Sequence, residues 1–219
     1  VERCEASVPR ALDQLDVLVV VNPNNPTGQL IAPQRLLEWR SELAAYGGWL
    51  VVDEAFMDCT PQHSLAEHSH LPGLIVLRSF GKFFGLAGSR LGFVLAHTGL
   101  LRSLARLLGP WTVNGPTRQL GTVLLADQSA QQRQRECLHC DGQRLTDLLR
   151  RHGLAPLGGC ALFQWWVNAD AALLHDVLAR RGILTRLFAQ PSSLRFGLPT
   201  DIGWARLDQA LQFFREQHP

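Results

Sequence analysis

Lys82 is the one lysine among 21 basic residues; the other 20 are arginine. A guanidinium stays protonated, whereas a lysine amine can lose its proton and attack a carbonyl, so Lys82 is the candidate nucleophile of the chain. It lies in Ser79-Phe80-Gly81-Lys82-Phe83-Phe84-Gly85-Leu86-Ala87-Gly88-Ser89-Arg90, with a hydroxyl three positions before the amine and a guanidinium eight positions after it. Hydroxyl, guanidinium and the amides of a glycine-rich turn all donate to anions, so the segment offers an anion site beside an amine. Asp53 closes the apolar run Leu50-Val51-Val52. An acid there caps a helix, ligates Mg²⁺ as in a Walker-B segment, or partners a cofactor cation. The magnesium reading needs a G-x-x-x-x-G-K-[ST] loop, and Gly81-Lys82 is followed by Phe83; a G-x-G-x-x-G dinucleotide fingerprint is also absent. On residue types alone, Asn22-Pro23-Asn24-Asn25-Pro26-Thr27-Gly28 reads as a turn. Arg195, in Leu194-Arg195-Phe196, reads by itself as a surface residue.

These signals fall at the ends of apolar runs, where open α/β sheets put their ligand sites. Val17 to Val21, Leu50 to Val52, Leu74 to Leu77 and Leu91 to Leu95 are expected to be strands buried on both faces. Between the first two, Pro33 to about Tyr46 reads as a helix with Leu36, Leu37, Leu43 and Ala44 on one side and Gly47-Gly48 at its end, which completes a β-α-β unit. Gly99 to Leu108 is expected to be helical, Pro110 interrupts it, and one long helix is expected from about Thr117 to His152. The pattern then changes to a small α+β lobe. Leu162 to Val167 and Leu194 to Phe196 read as strands, and Ala171 to Arg181 as a helix ending at Gly182. A last helix follows Asp201, with Trp204, Leu207, Leu211 and Phe214 at helical spacing. Trp165, Trp166 and Trp204 are expected in the core.

Composition excludes several classes. With 46% hydrophobic and 18% charged residues, 219 residues can bury a core, so disorder is not expected. A net charge of +2 with scattered basic residues predicts neither a nucleic-acid stripe nor a membrane patch. No apolar run nears the roughly 20 residues that span a bilayer, and the start lacks signal-peptide order, so a cytoplasmic protein is expected. Cys4, Cys59, Cys137, Cys140 and Cys160 do not form a secreted disulfide framework, and reduced thiols are expected. Neither the Cys137/Cys140 pair nor His63, His68 and His70 has the partners of a metal site, so no metal is expected.

Taken together and in order, Asn-Pro-Thr-Gly, Asp-x-Ala-aromatic, Ser-x-x-Lys and a late arginine resemble the class I and II aminotransferases and their relatives, over Val17 to Gly197. The resemblance implies an α/β chain of the pyridoxal-phosphate (PLP) dependent transferase, aspartate-aminotransferase-like fold: a partial large α/β domain plus a small α+β C-terminal domain. Residues 1–115 then form the C-terminal part of the large PLP-binding domain, 116–152 a linking helix, and 153–219 the small domain. It further implies that Lys82 holds PLP as a Schiff base, that Asp53 pairs with the pyridine nitrogen, that Asn25 meets the ring hydroxyl, and that Ser79 and Arg90 donate to the cofactor phosphate. Arg195 is similar to the arginine that receives the substrate α-carboxylate, and Arg186 to one directed at a substrate phosphate.

Within the family, histidinol-phosphate aminotransferases and threonine-phosphate decarboxylases of cobalamin synthesis fit best. The stretch from Asp53 through Met57-Asp58 to Ser64-Leu65, and Gly109-Pro110-Trp111-Thr112-Val113-Asn114, look most like the decarboxylases. Decarboxylation of L-threonine-O-3-phosphate is therefore expected, by a homodimer whose partner is a small phosphorylated amino acid, with a histidinol-phosphate-type aminotransferase or a non-catalytic fragment of the fold as the alternatives. Three departures stand out. Phe56 replaces a frequent tyrosine, Gly81 a frequent serine, and the upstream glycine loop and stacking aromatic ring are wanting, so an N-terminally truncated member is expected.

Overall fold

The computed structural model of the chain describes residue 12 and residues 15–218; Cys4 lies outside them. Strands β1 (Val17–Val21), β2 (Trp49–Asp53), β3 (Leu74–Ser79) and β4 (Gly92–Ala96) form one sheet in that order. The first three are parallel and β4 is antiparallel to β3. Register sets Val21 beside Asp53 and Asp53 beside Leu77, so the carboxyl ends of the parallel strands are level. Helix α1 (Pro33–Ala45) joins β1 to β2, begins at a proline that needs no N–H donor there, and ends where Gly47 turns to φ 77°. It buries Leu36, Trp39 and Leu43 against Leu18, Leu50, Val52, Leu74 and Val76. Each such side chain contributes about 1.5–3 kcal/mol when fully buried.

Burial on both faces of the strands does not hold. Side chains alternate across a sheet, and α1 covers only one face, so Val17 and Val19 are 48% and 64% exposed. The single helix expected over residues 117–152 is also two. After α2 (Thr98–Leu108) come α3 (Gly115–Ala126) and α4 (Gln128–Arg151). Between them Asp127 leaves helical geometry, and its carboxylate accepts from the Ala130 N–H at 2.8 Å and the Ser129 hydroxyl at 2.9 Å. That is an N-cap, and the two bonds hold the Asp127 carboxyl below its ordinary value.

The rest of the chain builds a second sheet from β5 (Gly158–Cys160), β6 (Phe163–Val167), β7 (Arg186–Phe188) and β8 (Ser193–Gly197), ordered β5-β6-β8-β7 and antiparallel throughout. β5 and β7 have three residues each, too few to show alternation in a sequence. Helices α4, α5 (Ala171–Arg180) and α6 (Gly203–Gln217) supply Leu145, Leu149, Leu174, Leu178, Leu207, Leu211 and Phe214 to a core with Trp166, Leu194, Phe196 and Trp204. All three tryptophans of this region are buried, as expected.

By its contacts the chain divides into two units. One holds β1 to β4 with α1 to α3, and the other holds Asn24–Gln29 together with the chain from Asp127 onward. Among the described residues no helix is long and apolar enough to cross a membrane.

Candidate functional site

In the first unit, strand register accounts for where the chemistry-bearing residues fall. Asp53 ends β2; Ser79 ends β3 opposite Gly92 of β4, with Lys82 three residues past the strand and Arg90 two residues before β4. All four lie at the carboxyl end of the parallel strands, the usual place for a ligand. The half-buried Asp53 accepts the Ala55 N–H on Oδ1 at 2.9 Å, and its main-chain carbonyl accepts the Asn22 N–H at 2.9 Å. Its carboxylate makes no ion pair among the described residues.

Lys82 is exposed, also without an acidic partner among the described residues, and its Nζ stands 5.5 Å from the centroid of the Phe56 ring. Ser79 Oγ accepts the Gly81 N–H at 3.3 Å, which fixes the oxygen and leaves its proton to donate elsewhere. Gly81 itself allows a close approach, because a Cβ there would come within 2.9 Å of Ala87 Cα. Arg90 is held at φ 54° and ψ 34°, a left-handed conformation that costs a non-glycine residue about 1–2 kcal/mol. Strain of this kind collects where a side chain must be presented in one direction. The set therefore joins one amine, one carboxylate lacking a cation, and two donors suited to an anion.

The second unit holds Asn25, Arg186 and Arg195. Asn24 Oδ1 accepts the Thr27 hydroxyl at 2.9 Å, and the Gly28 N–H donates to the Asn24 carbonyl at 2.7 Å, closing the Asn24–Gln29 segment on itself. The segment lies against β5 so closely that a Cβ on Gly28 would overlap the Gly159 carbonyl and one on Gly158 the Thr27 carbonyl. Glycine at both places is a packing requirement. Asn25 Oδ1, so held, accepts from an Arg195 guanidinium nitrogen at 2.6 Å.

Arg195 pairs across the sheet with Arg186. Like charges directly opposite are unfavourable, and among the described residues neither guanidinium has an acidic partner. Burial, and next the Arg186 charge, push Arg195 below its ordinary pKa. The nearby Cys160 thiol supplies no counter-charge, because burial pushes its pKa up and keeps it neutral. Two crowded cations short of an anion suit a ligand with two anionic groups.

Sequence reasoning did not single out the groups behind Asp53. The fully buried Glu54 carboxylate accepts the Ser64 hydroxyl at 2.5 Å, the Leu65 N–H at 2.7 Å and an Arg78 guanidinium nitrogen at 3.3 Å. Arg78 also reaches Asp58 at 2.5 Å. Burial nevertheless pushes the Glu54 carboxyl above its ordinary value. Strand alternation held the clue, since of two adjacent acids at a strand end one must point to each face. Among the described residues no group of three or more His, Cys, Asp or Glu side chains is arranged to hold a metal ion.

Comparison with known proteins adds to this geometry. The family model for "Aminotransferase class I and II" matches residues 4–213. A threonine-phosphate decarboxylase of Pseudomonas aeruginosa is 63% identical over 213 residues, which are 97% of this chain and 64% of that protein. One from Sinorhizobium sp is 46% identical over 198 residues, 89% of this chain and 59% of that protein. The chain thus spans less than two thirds of the length of these relatives. Among solved structures, a histidinol-phosphate aminotransferase from Sinorhizobium meliloti in complex with pyridoxal-5'-phosphate superposes with a TM-score of 0.84 at 24% identity, covering 93% of this chain and 58% of that one. The two share a fold.

Proposed function

The chain belongs to the class I and II aminotransferase family, and from that premise we propose that it is a PLP-dependent lyase that decarboxylates L-threonine-O-3-phosphate to (R)-1-amino-2-propanol O-2-phosphate in cobalamin biosynthesis. The observation that carries the substrate is the cross-strand pair of Arg186 and Arg195, with no acid among the described residues to neutralise it. An amino acid bearing both a carboxylate and a phosphate supplies the two missing anions. The likeness to the two decarboxylases supports the same choice.

The first unit's donors fit the cofactor by their chemistry. PLP has an aldehyde, a basic ring nitrogen and a phosphate. Lys82 offers an amine for the first, the uncommitted Asp53 carboxylate a counter-ion for the second, and the Ser79 hydroxyl and Arg90 guanidinium donors for the third. Asn25 gives its Oδ1 to Arg195, which leaves its NH₂ to donate to the ring oxygen.

Bound PLP supplies the sink for the electron pair left on the α-carbon when the carboxylate departs as CO₂. Asp53 keeps the proton on the ring nitrogen. Arg195 takes the substrate carboxylate on its free guanidinium edge, a planar two-point contact that an ammonium cannot make. Arg186 holds the phosphate. Lys82 Nζ would hold and deliver the proton that the α-carbon takes up.

A homodimer in the cytoplasm belongs to the same proposal, and sedimentation of the PLP-loaded protein tests the dimer. The reaction is tested with the protein expressed together with all coding sequence upstream of Val1. CO₂ release from L-threonine-O-3-phosphate is followed with and without 2-oxoglutarate. Release that needs no oxo acid is expected. Amino transfer from histidinol phosphate to 2-oxoglutarate, with no CO₂, would replace the lyase with an aminotransferase.

A further inference from the structure

We infer that Glu54, acting through Arg78, is a positioning residue that fixes the separation of Asp53 and Ser79. The inference rests on the reading that these two residues meet opposite ends of one cofactor.

Asp53 and Glu54 share a peptide bond, as do Arg78 and Ser79. The backbones are joined one step earlier, where the Glu54 N–H donates to the Leu77 carbonyl at 2.8 Å. Past that point β3 pairs with β4, with Ser79 opposite Gly92. The side-chain tie that draws β3 back towards β2 is Arg78 on Glu54, at 3.3 Å. Ser64 Oγ reinforces it, donating to Glu54 at 2.5 Å and accepting from Arg78 at 3.1 Å, while Asp58 takes the other guanidinium nitrogen. The knot is dry: side-chain exposure is 0% for Glu54, 19% for Arg78 and 15% for Asp58.

Two carboxylates around one guanidinium make an expensive way to stabilise a fold. Desolvation outweighs attraction for Glu54, as its raised carboxyl pKa reports. An apolar pair would fold as well but would not lock the two strand ends in one register. PLP carries its phosphate on a short CH₂–O arm of a planar ring, so it touches Asp53 and Ser79 together only within a narrow range of separations. Pyridoxal lacks the phosphate, touches one end, and is indifferent to that spacing.

The test uses the protein with its upstream coding sequence, stripped of cofactor, as wild type, Glu54→Gln and Arg78→Lys. Equilibrium dialysis gives the Kd of PLP and of pyridoxal, and a thermal melt gives the Tm of each apoprotein. In Glu54→Gln the Kd of PLP is expected to rise about tenfold and that of pyridoxal by less than about twofold, the pattern of a misplaced contact and not of a lost one. Equal weakening of both ligands would overturn the inference. So would a lowered Tm with PLP affinity unchanged, which would make the knot structural only. Should Glu54→Gln fail to fold, Arg78→Lys is judged by the same criteria. Wild-type protein that binds no PLP would remove the cofactor reading and this inference with it. Wild-type protein that binds PLP but releases no CO₂ would overturn the substrate and leave Glu54 to be judged on its own result.

Discussion

Arg90 lies just before strand β4 and Arg195 within strand β8, and their surroundings differ in kind. Arg90 belongs to a set of unlike groups, a hydroxyl, an amine and a carboxylate, each with capacity left over. Arg195 faces another arginine and shares its charge with no acid among the described residues. A site of unlike groups, with a carboxylate among its donors, can wait complete for a resident cofactor. A site of like groups is strained until its ligand arrives, which suits a substrate that comes and goes. On the proposed function, Lys82, Asp53, Ser79 and Arg90 serve the cofactor and Arg186 and Arg195 the substrate.

Substitutions that strike one unit alone put this division at risk. Lys82→Ala should cost the largest factor, about a thousandfold or more in CO₂ release, because it removes the nucleophile. A thermal shift given by O-phosphothreonine should survive it, since the arginine pair is untouched. Loss of that shift would merge the two sites. Asp53→Asn should lower kcat by roughly a hundredfold to a thousandfold while KM moves only a few-fold, as expected for a group that stabilises charge appearing in the transition state.

Arg186→Ala should act in the opposite sense. KM for O-phosphothreonine should rise roughly tenfold to a hundredfold, since a hydrogen bond to a charged group contributes about 1.5–3 kcal/mol, and PLP affinity should stay put. The apoprotein's Tm should hold or rise, because a cross-strand repulsion is relieved. A fall in Tm would mean that Arg186 serves the fold.

The smallest effect is one of pH. Glu54 has a folded-state carboxyl pKa above its ordinary value, so its contribution to stability is present at low pH and is lost as pH rises through that raised pKa. Urea unfolding at about pH 5 and about pH 8 should show wild type losing stability relative to Glu54→Gln. The reverse slope would mean that Arg78 outweighs burial.

Much of the first unit was legible in the sequence. Continuous apolar runs ending in Asp53 and in Ser79-x-x-Lys82 state both the strand and the place of the chemistry, and the parallel order of β1 and β2 follows from the helix between them, whereas no α-helix separates β2 from β3. The second unit was legible in its helices, where Trp204, Leu207, Leu211 and Phe214 mark a face. Its short strands were not, because three residues carry no period. The crossing of Arg186 with Arg195 depends on a β7–β8 register that nothing local announces. The bond between Asn25 and Arg195 joins residues 170 apart in the chain, and only tertiary contact creates it. Glu54 escaped notice for another reason: its motif credits the acid before it, and its partners Ser64 and Arg78 come from two separate segments.

The attachment of PLP to Lys82 is the claim on which the rest depends, and borohydride reduction tests it directly. The PLP-loaded protein, expressed with its upstream coding sequence, is reduced, digested and mapped by mass spectrometry. The account predicts a pyridoxyl group on the peptide containing Lys82, absent from Lys82→Ala. A pyridoxyl group on any other residue, or none at all in a protein that has bound PLP, would contradict it.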